Sequence, residues 1–219
     1  AVGQNRIGLV DCLCSKCLSC PMMPRQEPGN SQDPLTEAQW LDWTKTELGA
    51  DFTGATQRVY RQNTAAALLT VQNHVFFKKI DEFLRSCNAE YTALKGAELL
   101  MGEPGIKLEQ KSYESAVNKC YRQNYVQNRK FPNPPPKGGW FTPDNWFQKL
   151  NDLIRGTLVC KYIDGPEFLA ERIKRHADSL GLHAEYTSQQ RDEGYYAFHC
   201  YIKIPVQLID LQLQNLDID

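Results

Sequence analysis

The sequence lacks any apolar run near the ~20 residues that a membrane-spanning helix needs. It also lacks net charge: 25 lysines and arginines against 26 aspartates and glutamates leave −1 at pH 7. That removes a global pull toward nucleic acid or anionic membrane, so any anion site must be a local cluster. There is no initiating methionine, and "AVGQNRIGLVDCLC" is too short and polar for a signal peptide. The start therefore reads as that of a fragment. No internal repeat is visible. Histidine is scarce, at four, and His74, His176 and His183 sit in helical or strand contexts that give them no chemical role.

Apolar residues and cysteine are well supplied. The 219 residues are 42% hydrophobic and 23% charged, which suits one globular domain with an appendage. Of eight cysteines, Cys87, Cys120, Cys160 and Cys200 stand singly among apolar neighbours and read as buried thiols. Cys12, Cys14, Cys17 and Cys20 crowd into "DCLCSKCLSCP". Four thiolates at that spacing suit zinc, disulfides if the protein is exported, or free thiols, and the pattern is tighter than a two-knuckle zinc site.

Three zones follow along the chain. Residues 1–33, rich in Cys, Pro and Gly, read as a leader or linker. Residues 34–125 carry helical periodicity, opened by Asp33, Pro34 and Thr36 and ended near Gly102, with a shorter helix over "IKLEQKSYESAVNKCYRQNYVQN". Residues 126–149 hold the proline-rich "KFPNPPPKGGWFTPDNWF" and a short helix after Pro143-Asp144. Residues 150–219 alternate strand and helix: "GTLVCKYI", the helix "GPEFLAERIKRHADSLG", "LHAEYTS", "YAFHCYIKIPV" and a last strand "VQLIDLQLQNLDI". The expected fold class is α/β, a small mixed sheet flanked by helices beneath a mostly helical N-terminal half.

Several residues bear chemistry. Lys111, Ser115 and Lys119 are four apart on one predicted helical stripe, with Lys107 and Arg122 nearby. Such a stripe is either a solvated face or a phosphate cradle. Asp152 stands at the mouth of a strand beside Arg155. "RDEGYYAFHC" places Arg191, Gly194, Tyr195 and His199 at the start of another strand. Asp210 and Gln212 share the polar face of the last one.

In this order and at this spacing, the chain from Lys111 onward resembles the synthetase domain of the RelA/SpoT alarmone enzymes, which share a nucleotidyltransferase-like fold. The matching motifs are Lys111-Ser115-Lys119, the strand opening "DLIRGTLV", the loop formed by Glu185-Tyr186, Arg191 and Gly194-Tyr195-Tyr196-Ala197-Phe198-His199, and Asp210-Leu211-Gln212. The loop, with its spacing kept on both sides, is the most specific. The chain departs from the pattern at Glu109, where the family carries arginine, and at Arg155 and Thr157, where it carries glycine and then arginine. It departs again at Ala197 for serine, Asp210 for glutamate and Gln214-Asn215 for Arg-Thr. The resemblance is to a divergent branch.

The resemblance implies pyrophosphate transfer from ATP to the 3′-hydroxyl of a purine nucleotide. In that assignment Lys107, Lys111, Ser115, Lys119, Arg122 and Arg155 bind ATP. Asp152 and Asp210 hold Mg²⁺, Asp210 is the general base, and Gln212 completes the catalytic set. Arg191, Gly194, Tyr195 and His199 bind the acceptor, with Tyr195 under its base. The absence of a hydrolase or regulatory partner domain suits a stand-alone synthetase or a toxin. The leading expectation is a secreted effector of the type VI secretion kind. It would act in a target bacterium's cytoplasm by making (p)ppApp, and would be countered by an immunity protein. Guanosine acceptors giving (p)ppGpp, the 3′ end of tRNA, a cytoplasmic location and an inactive nucleotide-binding module stay open. An RNA-directed role drawing on Arg129, Lys130, Lys137, Phe131, Trp140 and Phe141 also stays open, although near-zero net charge disfavours a large nucleic-acid footprint.

Overall fold

The computed structural model describes residues 9–14, 35–190 and 196–208. Its elements in chain order are β1 (Leu9–Cys14), α1 (Glu37–Leu48), α2 (Ala55–Asn73), α3 (Val75–Lys78), α4 (Ile80–Lys95), β2 (Leu108–Gln110), α5 (Tyr113–Tyr121), α6 (Trp146–Lys149), β3 (Ile154–Cys160), α7 (Gly165–Ser179), β4 (Ala184–Gln190) and β5 (Tyr196–Ile202). A five-residue π-helical segment, Arg122–Val126, extends α5.

Each element has a local cause. In α1, the Thr36 hydroxyl accepts from the Gln39 amide while the Gln39 side chain accepts from the Thr36 amide, a capping box. The long helical pattern after Thr53 is broken at His74, whose backbone is extended and whose Nδ1 accepts from the Phe76 amide at 3.2 Å. The stretch is divided among α2, α3 and α4. Period-two alternation makes β3: Ile154, Gly156, Leu158 and Cys160 are buried, while Arg155 and Thr157 are exposed. Gly156 has a packing reason, because a Cβ there would collide with Ile106. Among the residues after Pro143-Asp144, α6 starts as the sequence suggests.

The five strands form one mixed sheet in the order β2-β3-β1-β5-β4. β1 runs parallel to β3 and antiparallel to β5, while β2 and β4 pair antiparallel at the two edges. Leu9–Cys14 is thus the middle strand, which corrects its reading as part of an appendage. All six of its residues pair with β3 and five, Leu9–Leu13, with β5, and Cys12 is fully buried. A middle strand suits a mostly apolar segment, and "LVDCLC" is apolar apart from Asp11.

One face of the sheet is covered. Cys12, Leu158, Cys160, Phe198, Cys200 and Ile202 pack against Leu169, Ala170, Ile173 and Ala177 of α7, with Leu84, Tyr91, Val71 and Phe76 from the other helices. The α7 residues recur every three or four positions, the stripe an amphipathic helix buries. A second, aromatic cluster of Trp40, Phe52, Tyr60, Trp146, Phe147, Leu150 and Leu153 joins α1, α2, α5 and α6. The proline-rich stretch is pinned beside it by buried Asn124, whose carboxamide donates to the Phe141 carbonyl and accepts from the Phe141 amide, both at 2.8 Å.

All of the expected last strand after residue 208 lies outside the described residues, and 203–208 take no regular structure. Among the described residues, no helix is long and apolar enough to cross a membrane.

Candidate active site

β2 ends at Gln110 and α5 begins after Ser112, so Lys111 sits in the turn between them. This changes the expected helical stripe: Lys111 precedes the helix instead of lying on it. Ser112 is the N-cap, and its hydroxyl accepts from the Ser115 amide at 3.2 Å. The Lys111 backbone is held on both sides. Its amide donates to the Leu153 carbonyl at 2.8 Å, and its carbonyl accepts from the Tyr60 hydroxyl at 2.9 Å. Tyr60 is itself buried in the aromatic cluster and touches Tyr113, Trp146 and Phe147. Burial, then the nearby Asp152 charge, raises its pKa, so the phenol stays a neutral donor.

This clamp brings three charges together. Lys111 Nζ reaches Asp152 Oδ2 at 2.9 Å, and Lys119 Nζ, two turns into α5, reaches Oδ1 at 2.7 Å. The side chains are 9%, 30% and 17% exposed for Lys111, Lys119 and Asp152, so all three are substantially desolvated. Burial alone would raise the Asp152 pKa. The Lys119 ammonium and then that of Lys111 outweigh it and hold the carboxyl below the usual carboxylate range. Two ammonium groups and one carboxylate leave a net charge of +1 in a partly desolvated cluster. Such a cluster attracts an anion, because the excess cation cannot be screened by bulk water.

The remaining predicted ATP-binding residues do not join the triad. Ser115 is exposed on the first turn of α5 and its hydroxyl meets that of Ser112 at 2.9 Å. Arg122 is half-buried at the start of the π-helical segment. Lys107 is 86% exposed and paired with Glu109 at 3.2 Å. Arg155 lies across the sheet from Glu109 on β3. A thiol nucleophile is excluded beside the lysines: burial pushes Cys120 up to about 12 against the opposing pull of Lys119, Lys111 and Lys149.

His199 belongs to the face of the sheet opposite α7, which no helix covers among the described residues. Across β3, β1, β5 and β4 one row reads Thr157, Asp11, His199, Thr187, and the next reads Arg155, Leu9, Tyr201, Glu185. His199 is half-buried, with Nε2 2.8 Å from Gln189 Oε1. Asp152 stands in the turn before β3, five residues ahead of Thr157, and His199 lies two strands across from Thr157. The structure therefore brings Lys111, Lys119 and Asp152 together and places His199 elsewhere on the sheet. Arg191, Gly194, Tyr195, Asp210 and Gln212 lie outside the described residues. So do Cys17 and Cys20, whereas Cys12 is a core residue and Cys14 pairs in register with Cys160 at the end of β1.

Tyr60, Ser112 and Gln189 were missed by sequence reasoning. Ser112 had a signal, since serine is a preferred N-cap residue. Tyr60 had none, being 51 residues from the carbonyl it holds.

The donor set fits Mg²⁺ as an ion carried in by a nucleotide. Mg²⁺ takes one or two carboxylates together with substrate phosphates. Asp152 supplies one such carboxylate, and its two ammonium partners are the groups polyphosphate would draw away. Among the described residues, no group of three His, Cys, Asp or Glu side chains converges to cage an ion unaided. Comparison with protein-family models, curated proteins and solved structures found no match to this chain.

Proposed function

We propose that this chain is an ATP-dependent pyrophosphotransferase of the RelA/SpoT kind. The observation that carries the reading is the Lys111–Asp152–Lys119 triad. Two sequence motifs, 33 and 41 residues apart, meet there as a buried cluster with one positive charge in excess.

On this reading the ATP polyphosphate binds against Lys111 and Lys119, which exchange Asp152 for phosphate oxygens. The released Asp152 carboxylate would hold Mg²⁺, and when bound the ion neutralises charge on the phosphates under attack. Ser115 donates a hydroxyl at the N-terminal turn of α5, where the helix dipole favours anions. The acceptor's 3′-oxygen attacks the β-phosphorus. The bond from that phosphorus to the α–β bridging oxygen breaks and AMP leaves. The hydroxyl proton passes to a carboxylate, a role assigned to Asp210 by the resemblance alone.

The acceptor lies along the uncovered face of the sheet, toward the His199 row. A purine nucleoside diphosphate or triphosphate is the proposed acceptor, with adenosine as the leading base. A toxin role and an immunity protein covering the site belong to the same proposal. To test it, incubate the chain with Mg²⁺, ATP labelled in its β- and γ-phosphates, and ADP, GDP or bulk tRNA in turn. Label on ADP alone supports the adenosine branch, and label on GDP or tRNA redirects the acceptor. No transfer to any of them sinks the enzyme reading.

A further inference from the structure

We infer that Gln189 is a positioning residue for the acceptor side of the site, holding the His199 ring in one orientation on the uncovered sheet face. The inference rests on the proposal that His199 faces the acceptor.

Parallel strand pairs are usually covered on both faces. Here the parallel pair β1–β3 sits in the middle of the sheet, yet Arg155 and Thr157 on its outer side are exposed. Thr187 on β4 is exposed too, while His199, Tyr201, Glu185 and Gln189 are half-buried. The face is therefore polar, partly sheltered and uncovered among the described residues, as a ligand platform would be.

Within it, Gln189 pairs in register with Ala197, not with His199. It reaches His199 diagonally, across the space left by the small Ala197 side chain. Diagonal neighbours on one face of an antiparallel pair are within reach of long side chains. The Gln189 Oε1–His199 Nε2 distance is 2.8 Å. An amide oxygen only accepts, so this contact requires the proton on Nε2, which fixes both the ring plane and the tautomer. In register with His199 stand Asp11 on β1 and Thr187 on β4, with Glu185 two residues before Thr187 on β4 and Tyr201 two residues on along β5. Arg155 and Thr157 stand beyond β1.

The experiment uses the full chain with ¹⁵N-labelled histidine. Two-bond ¹H–¹⁵N spectra report which ring nitrogen of His199 carries the proton. The Nε2-protonated form is expected in the wild type, a mixture in Gln189→Leu, and the Nε2-protonated form again in Gln189→Glu, which keeps the accepting oxygen. In transfer assays, Gln189→Leu should raise the acceptor KM about five-fold, the weight of one neutral hydrogen bond, and leave the ATP KM unchanged. Gln189→Glu should restore it. Identical His199 spectra in the wild type and Gln189→Leu would overturn the inference, as would equal rises in both KM values. A wild type that transfers no label counts against the proposed function instead, and leaves the spectra to decide the orienting contact.

Discussion

At the residue scale, Asp152 carries the charge balance of the site. Removing its charge while keeping its shape, as in Asp152→Asn, leaves two desolvated ammonium groups facing each other. Breaking a buried pair in this way costs about 3–5 kcal/mol, and partial exposure of Lys119 brings the expected loss to about 2–4 kcal/mol in urea unfolding. Lys119→Met should cost less, because the carboxylate keeps Lys111. The pH dependence follows from the depressed Asp152 pKa. Its stabilisation is complete above the ordinary carboxylate value of about 3.9 and is lost as pH falls through the lower folded value. Asp152→Asn should flatten that acid limb. His176 has the opposite origin and acts at higher pH. Its ring stacks on Phe83 at 4.4 Å, its Nε2 is buried without a hydrogen-bond partner among the described residues, and burial lowers its pKa. The fold binds the neutral ring, so stability should fall as pH drops below about 6.5, where the unfolded chain takes up the proton first. His176→Phe should abolish that decline in melting temperature between pH 7 and 5, and an unchanged slope would assign the decline to other groups. The two lysines and Asp152 were legible as residue types in sequence. That all three would touch was not, because the contact depends on Tyr60 and Leu153 gripping the Lys111 backbone from distant parts of the chain.

At the element scale, most helices and the strands β3, β4 and β5 were legible because period and punctuation agree with the fold. α7 has its Pro166 start and apolar stripe, and β3 alternates cleanly. The failures have physical reasons. β2 is three residues long and too short for a period to show, so it was read as helix. β1 was hidden by the cysteines and prolines that follow it, and its pairing with β3 spans more than 140 residues of chain. Two substitutions test these elements. Cys12→Asp would bury an unpaired charge in the middle strand and should cost about 3 kcal/mol or more in chemical denaturation. A negligible effect would mean that Leu9–Cys14 is an appendage after all. Gly156→Ala forces a methyl onto Ile106 and should cost about 1–3 kcal/mol by overpacking. Adding Ile106→Ala removes the colliding atoms, so the double variant should lose less than the sum of the two singles.

At the scale of the whole molecule, two cores support two halves of one proposed reaction. The aromatic cluster fixes the triad at the start of β3, and the sheet and its helices present the His199 row further along the same strands. On that proposal the donor side sits at the start of β3 and the acceptor side on β5, two strands away in the same sheet. Neither core predicts the acceptor base. The central claim is diphosphate transfer at the triad, and it differs in products from transfer of a single phosphate. The direct measurement is mass spectrometry of a reaction containing the chain, Mg²⁺, ATP and ADP. The account expects equimolar AMP and a nucleotide carrying two added phosphates on its 3′-oxygen, with neither formed by Asp152→Asn. Product with one added phosphate and no AMP, or equal turnover by Asp152→Asn, would contradict it.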